Sequence, residues 1–196
     1  MTNARKSAMS VLTSKLKMVL APLSKREEKL AIAASTARLA TESKRPKEAR
    51  YRVLGAELAI DRPEVKDAVP KRRIRVLVAD YSARRNLEYL VEGGSVIEEH
   101  VLSFQPAFHE DEIAEARDLA TRDARVKAFI AQRGLVVSAA SPERPSKDRL
   151  LVLRYALVPM GKAASFVATV AVDLSRRKVV SVVEGGPINP RSGHHG

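Results

Sequence analysis

Cysteine and tryptophan are absent from this 196-residue chain, and aromatic residues make up only 4% of it. The absence of cysteine excludes disulfides, thiolate metal sites and cysteine nucleophiles, and it is typical of a protein from a reducing compartment. With so few aromatic side chains, the core has to be built from valine, leucine, isoleucine and alanine. The hydrophobic share of 45% is normal for a globular protein, so we expect a packed core.

Long apolar runs are also missing. No stretch approaches the roughly 20 apolar residues that a membrane-spanning helix needs. The apolar stretch of residues 9–23 is interrupted by Lys15 and Lys17 and is not followed by a small-residue cleavage site, so it does not resemble a secretory signal. We therefore expect a cytoplasmic protein without a transmembrane segment.

Positive charge is in excess but unevenly placed. The formal net charge is +12, and residues 1–50 hold twelve Lys and Arg against four Asp and Glu. Residues 51–100 balance at nine against nine, and residues 101–196 hold fourteen against ten. Most of the excess therefore precedes the main body of the chain, which is typical of a basic arm.

An amphipathic helix is predicted within this arm, residues 1–22. Its apolar residues fall on one helical face because they are spaced by four, three and one positions: Leu12, Leu16, Val19 and Leu20. Such a face can pack on the chain's own body, dock to a protein partner or a second copy as a helix in a groove, or lie on anionic lipid. We take this face as the candidate for partner binding or self-association.

From residue 23 onwards the chain runs twice through the same order of elements. Ser24 followed by Glu27 forms a capping-box pattern that predicts a helix over residues 25–41. The side of this helix predicted to pack on a sheet consists of Leu30, Ala33, Ala34, Ala37 and Ala40. Strands follow up to residue 104, then a helical segment over residues 110–134, then three strands between residues 150 and 183.

This order predicts an α+β fold of two tandem units. Each unit is a helix packed on an antiparallel β-meander whose last hairpin ends in a charged turn. The predicted units are residues 23–106 and 107–190, preceded by the basic arm of residues 1–22 and followed by a flexible tail, residues 191–196. The two units account for nearly the whole chain and leave no room within it for a separate catalytic domain.

Several stretches in this order carry a family resemblance. In the first unit they are Pro22-Leu23-Ser24 with Glu28 and the alanine-rich helix, then IRVLVADYSARRNLEYLVE and SVIEEHVLSFQPAF. In the second they are EIAEARDLATRDARVKAFIAQRGL, RLLVLRYALV and AVDLSRRKVVSVVEGG. Together they resemble the two small domains that precede the catalytic domain in copper amine oxidases. The resemblance covers roughly residues 22–190 and implies a cystatin-like shape for each unit.

The resemblance does not extend to that family's chemistry. Its catalytic domain carries a quinone formed from tyrosine in a Thr-x-x-Asn-Tyr-Asp/Glu motif, and copper bound by a His-x-His pair and a distant histidine. This chain contains neither an Asn-Tyr pair nor a His-x-His pair. The resemblance therefore implies a non-catalytic accessory protein, one version being a detached subunit of an amine oxidase-type enzyme.

Basic residues form two dense clusters outside the arm: Lys71, Arg72, Arg73 and Arg75, and Arg176, Arg177 and Lys178. Both clusters flank predicted strands, where charge keeps sheet edges from pairing with other chains. The functional alternative is a phosphate-contacting patch that binds nucleic acid or an anionic surface. Because few aromatic residues are available for base stacking, nucleic-acid binding is the second hypothesis.

Side chains suited to catalysis or metal binding do not form a recognisable pattern. His100 and His109 have no partner at metal-ligand spacing. Carboxylates in the first turn of a helix interact favourably with its dipole, and this explains the acidic cluster Glu110, Asp111, Glu112 and Glu115. No Ser, Thr or Tyr stands in a nucleophile motif. We expect no cofactor, no metal and no enzymatic reaction, and a protein or peptide partner instead.

Overall fold

The structure is a computed structural model that describes residues 17–41, 49–61, 71–130, 135–142, 148–157 and 165–185. Residues 17–20 are helical. The longer helices in these ranges are α1 (Lys25–Ala40), α2 (Glu110–Arg122) and α3 (Ala124–Ile130). The strands are β1 (Tyr51–Asp61), β2 (Lys71–Asp80), β3 (Arg85–Glu92), β4 (Ser95–Leu102), β5 (Leu135–Ala140), β6 (Leu150–Leu157), β7 (Ser165–Asp173) and β8 (Lys178–Glu184).

The strands form two four-stranded sheets with the orders β1-β2-β3-β4 and β5-β6-β7-β8. Pairing is antiparallel in both sheets. The chain divides into two compact units, Met1–Asp80 with Asn86–Leu102 and Tyr81–Arg85 with Ser103–Gly196. In each unit a helix packs against the sheet, so the predicted α+β class with two such units is confirmed.

The core of the first unit lies between α1 and one face of its sheet. Successive side chains of a strand point to opposite faces, and the alternating apolar residues of β2 and β3 place one row inward. The fully buried side chains of this core are Ala31 and Leu39 of α1 with Val76, Val78, Leu87, Tyr89 and Val91 of the sheet.

The predicted packing face of α1 is wrong. Leu30 is 52% exposed, and Ala33, Ala37 and Ala40 are exposed as well. Ala34 is half-buried. The buried side consists instead of Ala31, Ser35 and Leu39. Because small apolar residues occupy every side of this helix, their periodicity does not select one face.

In the second unit, the buried residues of the first helix stand at the same distances from its N-cap residue as in the first unit. Ala116 and Ala120 of α2 are fully buried, together with Leu151, Leu153, Ala168, Val170 and Val172 of the sheet. Counted from the N-cap residues Ser24 and His109, they stand seven and eleven positions on, as Ala31 and Ser35 do in α1. The repeated order of elements therefore extends to the helix positions that are buried.

The two sheets differ in which pair of strands the charged turn connects. In the second unit a charged turn over residues 174–177 joins β7 to β8, as predicted for the last hairpin. In the first sheet the charged turn joins β2 to β3, and the last hairpin turns at Gly93 and Gly94, which have φ values of 59° and 84°. The prediction of a charged turn in the last hairpin is therefore wrong for the first unit.

Strand β5 is an element that the sequence pattern did not reveal. Its sequence, LVVSAA, is short and ends in small residues, so it lacks a clear alternation of apolar and polar side chains. Hydrogen bonds to β6 along its whole length define it as a strand. Among the described residues, no helix is long and apolar enough to cross a membrane.

Candidate functional site

An apolar hollow opens on the first unit beside the start of α1. It encloses about 560 Å³ and is lined by Met18, Val19, Ala21 and Pro22, with Ser24, Glu27 and Arg72 at its polar end. Ligand sites in proteins commonly have volumes of roughly 300–1,000 Å³, mostly apolar walls and a few polar groups. Met18 is 73% exposed and the neighbouring Leu20 is 53% exposed, so apolar surface continues beyond the hollow.

Arg72 fixes the chain that forms these walls. From the second position of β2, its Nη1 donates to the carbonyl oxygens of Val19 at 2.8 Å and Ala21 at 2.6 Å. Its Nη2 donates to the carbonyl oxygen of Pro22 at 3.1 Å. One guanidinium therefore holds successive carbonyl groups of the segment that leads into α1.

The same guanidinium binds the carboxylate of Glu27. Its Nε donates to Oε1 at 2.9 Å and its Nη2 to Oε2 at 3.1 Å, which is the strong two-point geometry of an arginine–carboxylate pair. Glu27 is also the third residue of α1, where Oε2 accepts from the backbone N–H of Ser24 at 2.9 Å. We call Arg72 and Glu27, with the carbonyl groups that Arg72 binds, the first clasp.

These contacts keep Glu27 ionised. Hydrogen bonds from Arg72, and then from Ser24, lower the pKa of Glu27 from 4.5 to about 2. The polar end of the hollow therefore presents an ionised carboxylate near neutral pH.

The second unit contains a matching clasp, formed by Arg149 and Glu112 with the carbonyl groups that Arg149 binds. Arg149 precedes β6, and Glu112 is the third residue of α2. The Arg149 Nε donates to Glu112 Oε1 at 2.9 Å and its Nη2 to Oε2 at 2.8 Å. Its Nη1 and Nη2 also donate to the carbonyl oxygens of Pro106 at 2.7 Å and Ala107 at 3.0 Å.

The second clasp is buried and the first is not. Glu112 is 0% and Arg149 3% exposed, whereas Glu27 is 37% and Arg72 19% exposed. Burial acts to raise the pKa of Glu112, but the hydrogen bonds and charge of Arg149 outweigh it and hold that pKa below its ordinary value. Glu112 belongs to the acidic cluster that we explained by the helix dipole, and its buried ion pair was not predicted.

Two aromatic residues cover the second clasp. The hydroxyl of Tyr81 donates to Glu112 Oε1 at 2.8 Å. The ring of Phe108 lies over the guanidinium of Arg149, with its centroid 4.3 Å from Cζ. A cation over an aromatic face is attracted by the ring quadrupole, so Phe108 both covers and stabilises the arginine.

The structure describes only part of the predicted apolar face of the arm. Leu12 and Leu16 lie outside the described residues. Val19 is half-buried and lines the hollow, and Leu20 is exposed next to it. Of the predicted face, Val19 is thus the residue that lines the hollow. Arg72, which the sequence analysis assigned to a basic cluster, lines it as well.

The arginines of both basic clusters are ion-paired. Arg73 contacts Glu92 at 3.2 Å and Glu98 at 3.3 Å, and Arg75 contacts Glu57 and Glu88, each at 2.9 Å. In the second cluster Arg176 pairs with Asp173 at 2.7 Å, and Arg177 pairs with Glu115 at 3.2 Å. Lys71 and Lys178 are exposed. The residues named here do not form a continuous patch of uncompensated positive charge.

No group of three or more His, Cys, Asp or Glu side chains that could hold a metal ion occurs in the part of the chain that the structure describes. Fold and site together define a tandem α+β protein in which each unit carries one clasp at the start of its helix. No known protein family matches the sequence, and no curated protein is significantly similar to it.

Proposed function

We propose that this protein is a non-catalytic accessory protein that binds a protein partner through the apolar hollow and the exposed side chains beside it. The resemblance to the N-terminal domains of copper amine oxidases, with a cystatin-like shape for each unit, is part of this proposal. It supports a role beside a larger chain of the amine oxidase type.

One observation carries the proposal: the walls of the hollow are held in place before anything binds. Arg72 binds the carbonyl groups of Val19, Ala21 and Pro22, so this segment is ordered although Met18 and Leu20 are exposed. Binding to an ordered surface avoids the entropy cost of ordering it, which is the basis of preorganised recognition. Exposed apolar surface with a polar rim is a common mark of protein interaction sites.

The alternative, a binder of nucleic acid, receives less support. Phosphate contacts need basic side chains that are available, and the arginines of both clusters already bind carboxylates of the protein.

The test is retention of proteins from a nuclease-treated extract of the native source on the immobilised full chain, at low and high salt. We expect at least one protein to remain bound to the wild type at high salt and to be lost from the double variant Met18→Ser/Leu20→Ser. Apolar contacts are weakened little by salt, whereas phosphate contacts weaken steeply.

The matched control is Val180→Ser/Val183→Ser, which removes two exposed apolar side chains from the second unit. It should retain the same protein as the wild type. Equal retention by all three chains would contradict the proposal. Binding that requires nucleic acid and disappears at high salt would favour the alternative.

A further inference from the structure

We propose that the apolar hollow of the first unit binds a tyrosine side chain of the partner protein, with the phenolic hydroxyl donating a hydrogen bond to Glu27 Oε1. The inference rests on the proposed function and specifies which side chain the partner inserts. It comes from comparing the two clasps atom by atom, because in the second unit a tyrosine hydroxyl donates to the corresponding glutamate oxygen.

The two clasps share five hydrogen bonds. In both, the arginine Nε and Nη2 donate to the two oxygens of the glutamate, whose Oε2 also accepts from the backbone N–H of the N-cap residue. In both, Nη2 donates to the carbonyl two residues before the N-cap, and Nη1 to the carbonyl three residues before it. Beyond these shared bonds, Glu27 Oε2 also accepts from the side-chain hydroxyl of Ser24 at 2.7 Å, whereas the N-cap residue of the second unit is His109.

The Oε1 acceptor position differs as well. Glu112 Oε1 accepts from Arg149 and from the hydroxyl of Tyr81. Glu27 Oε1 accepts from Arg72, and no second donor to it is found among the described residues. A carboxylate oxygen can accept more than one hydrogen bond, so the position that Tyr81 fills in the second unit stays open in the first.

The cover over the arginine differs as well. The residue before the N-cap is Phe108 in the second unit and Leu23 in the first, so the aromatic ring that covers Arg149 has no equivalent at Arg72. Beside the guanidinium of Arg72, the first unit has the hollow, whose walls Met18, Val19 and Pro22 are apolar. A tyrosine ring would contact these walls while its hydroxyl reached the polar end.

Charge also favours a phenol over other polar groups. Arg72 and Glu27 form an ion pair without net charge, so neither a cation nor an anion gains a net attraction at the polar end of the hollow. A neutral donor on an apolar ring is the group that complements both the walls and the open acceptor.

The chain itself has few tyrosines to offer. Its four tyrosines are Tyr51, Tyr81, Tyr89 and Tyr155, and the last three are at most 4% exposed. Residues 1–16, which precede the hollow, contain no aromatic residue. A second copy could present only Tyr51, which is 42% exposed, so we assign the tyrosine to a different protein.

The experiment titrates the full chain with N-acetyl-tyrosinamide and with N-acetyl-phenylalaninamide, observed by NMR at the Met18 methyl and the Ser24 amide. We expect the tyrosine compound to shift both signals and to bind roughly tenfold more tightly, because a hydrogen bond to a charged group is worth about that factor. Equal binding of the two compounds, or no shift up to about 10 mM, would overturn the inference.

Two variants separate the two kinds of contact. Met18→Ser removes a wall and should weaken both compounds several-fold. Glu27→Gln keeps the size of the side chain but removes the charge of the acceptor, so it should abolish most of the preference for tyrosine. Preservation of that preference in Glu27→Gln would show that the hydroxyl binds elsewhere.

The two proposals fail in distinguishable ways. If a partner is retained through Met18 and Leu20 but tyrosine is not preferred, the proposed function stands and this inference is wrong. If the tyrosine compound binds as expected but no partner is retained, the inference stands for a phenolic group and the proposed function is wrong. A dimer seen by light scattering that Tyr51→Phe abolishes would make the partner a second copy and overturn our assignment.

Discussion

Arg149 and Glu112 are almost completely buried, whereas Arg72 and Glu27 keep part of their surface in contact with water. The bonds within the two pairs are nearly the same, so the difference in burial decides what each pair contributes to stability. Removing one partner of a buried pair leaves an uncompensated charge, which costs far more than the pair gains. Exposed pairs are screened by water, and removing one of them costs less.

We therefore expect Arg149→Met to lower the free energy of unfolding by about 3–5 kcal/mol. The matched variant Arg72→Met should lower it by only about 1–2 kcal/mol, since Glu27 can be hydrated. Urea denaturation followed by circular dichroism compares the two. Equal losses would contradict the view that burial decides the cost.

Tyr81→Phe tests the hydroxyl that covers Glu112. The change leaves the ring in place and removes the donor to a buried carboxylate, so it should cost about 1.5–3 kcal/mol of unfolding free energy. The same denaturation experiment measures it. An unchanged stability would mean that the 2.8 Å hydrogen bond is replaced by another donor.

The pKa of Glu27 can be measured by an NMR titration of its side-chain carboxyl. In the wild type it should be about 2, against an ordinary value of 4.5, and in Arg72→Met it should rise towards that value. Because the folded pKa is the lower one, the first clasp stabilises the fold fully above about pH 4.5, and its contribution is lost as the pH falls towards 2. A value near 4.5 in the wild type would show that Arg72 does not bind Glu27 in solution.

At the scale of elements, a glycine in a turn and a glycine in a strand differ in how much the backbone depends on them. Gly94 has φ +84°, a left-handed conformation that other residues adopt at a cost, whereas Gly55 lies in β1 with open space around its missing Cβ. Gly94→Ala should therefore cost about 1 kcal/mol of unfolding free energy, and Gly55→Ala should be neutral or slightly stabilising. Thermal unfolding of the two variants gives the comparison. A larger destabilisation by Gly55→Ala would contradict this expectation.

The elements show which features the sequence could predict. The capping box of Ser24 and Glu27 was predicted from residues three positions apart, and the structure contains it. The corresponding box at α2 was missed because its N-cap is His109, which is not among the usual capping residues. Local patterns thus identify elements when their residues are typical of the role.

The candidate site depended on contacts that local patterns do not contain. Val19 and Leu20 were found by their helical spacing, but Arg72 was assigned only to a basic cluster. Its partner Glu27 lies 45 residues away in the sequence, and the two meet only when α1 packs beside β2 in the folded chain. Glu112 and Arg149 are 37 residues apart, so their burial could not be predicted from composition or periodicity either.

At the scale of the whole molecule, the net charge of +12 does not describe a uniformly basic surface. On the first sheet, Arg75 pairs with Glu57 of β1 and with Glu88 of β3, so neighbouring strands carry opposite charges. Opposite charges facing each other across strands stabilise a sheet. Most of the formal excess of positive charge lies within residues 1–50 of the sequence.

This distribution of charge predicts which basic residues would contribute to any binding of a short DNA duplex. Arg73→Gln/Arg75→Gln and Lys15→Gln/Lys17→Gln remove the same charge, but only the second pair should weaken binding. It should also reduce the salt dependence, by about 0.9 in slope for each phosphate that is no longer bound. Fluorescence anisotropy over a range of salt concentrations measures both effects. A larger effect of the arginine pair would place the anion-binding surface on the first sheet.

The sequence separations of the two clasps have a consequence for how each unit assembles. The start of a helix is normally completed by neighbours along the chain, and it can form early in folding. Here the glutamate that caps each helix is held by an arginine 45 or 37 residues further on, so the contact forms only after that loop has closed. In a chain without cysteine, each clasp thus joins distant segments without a covalent bond. The start of each helix should accordingly be among the last parts of its unit to become protected from hydrogen exchange during refolding.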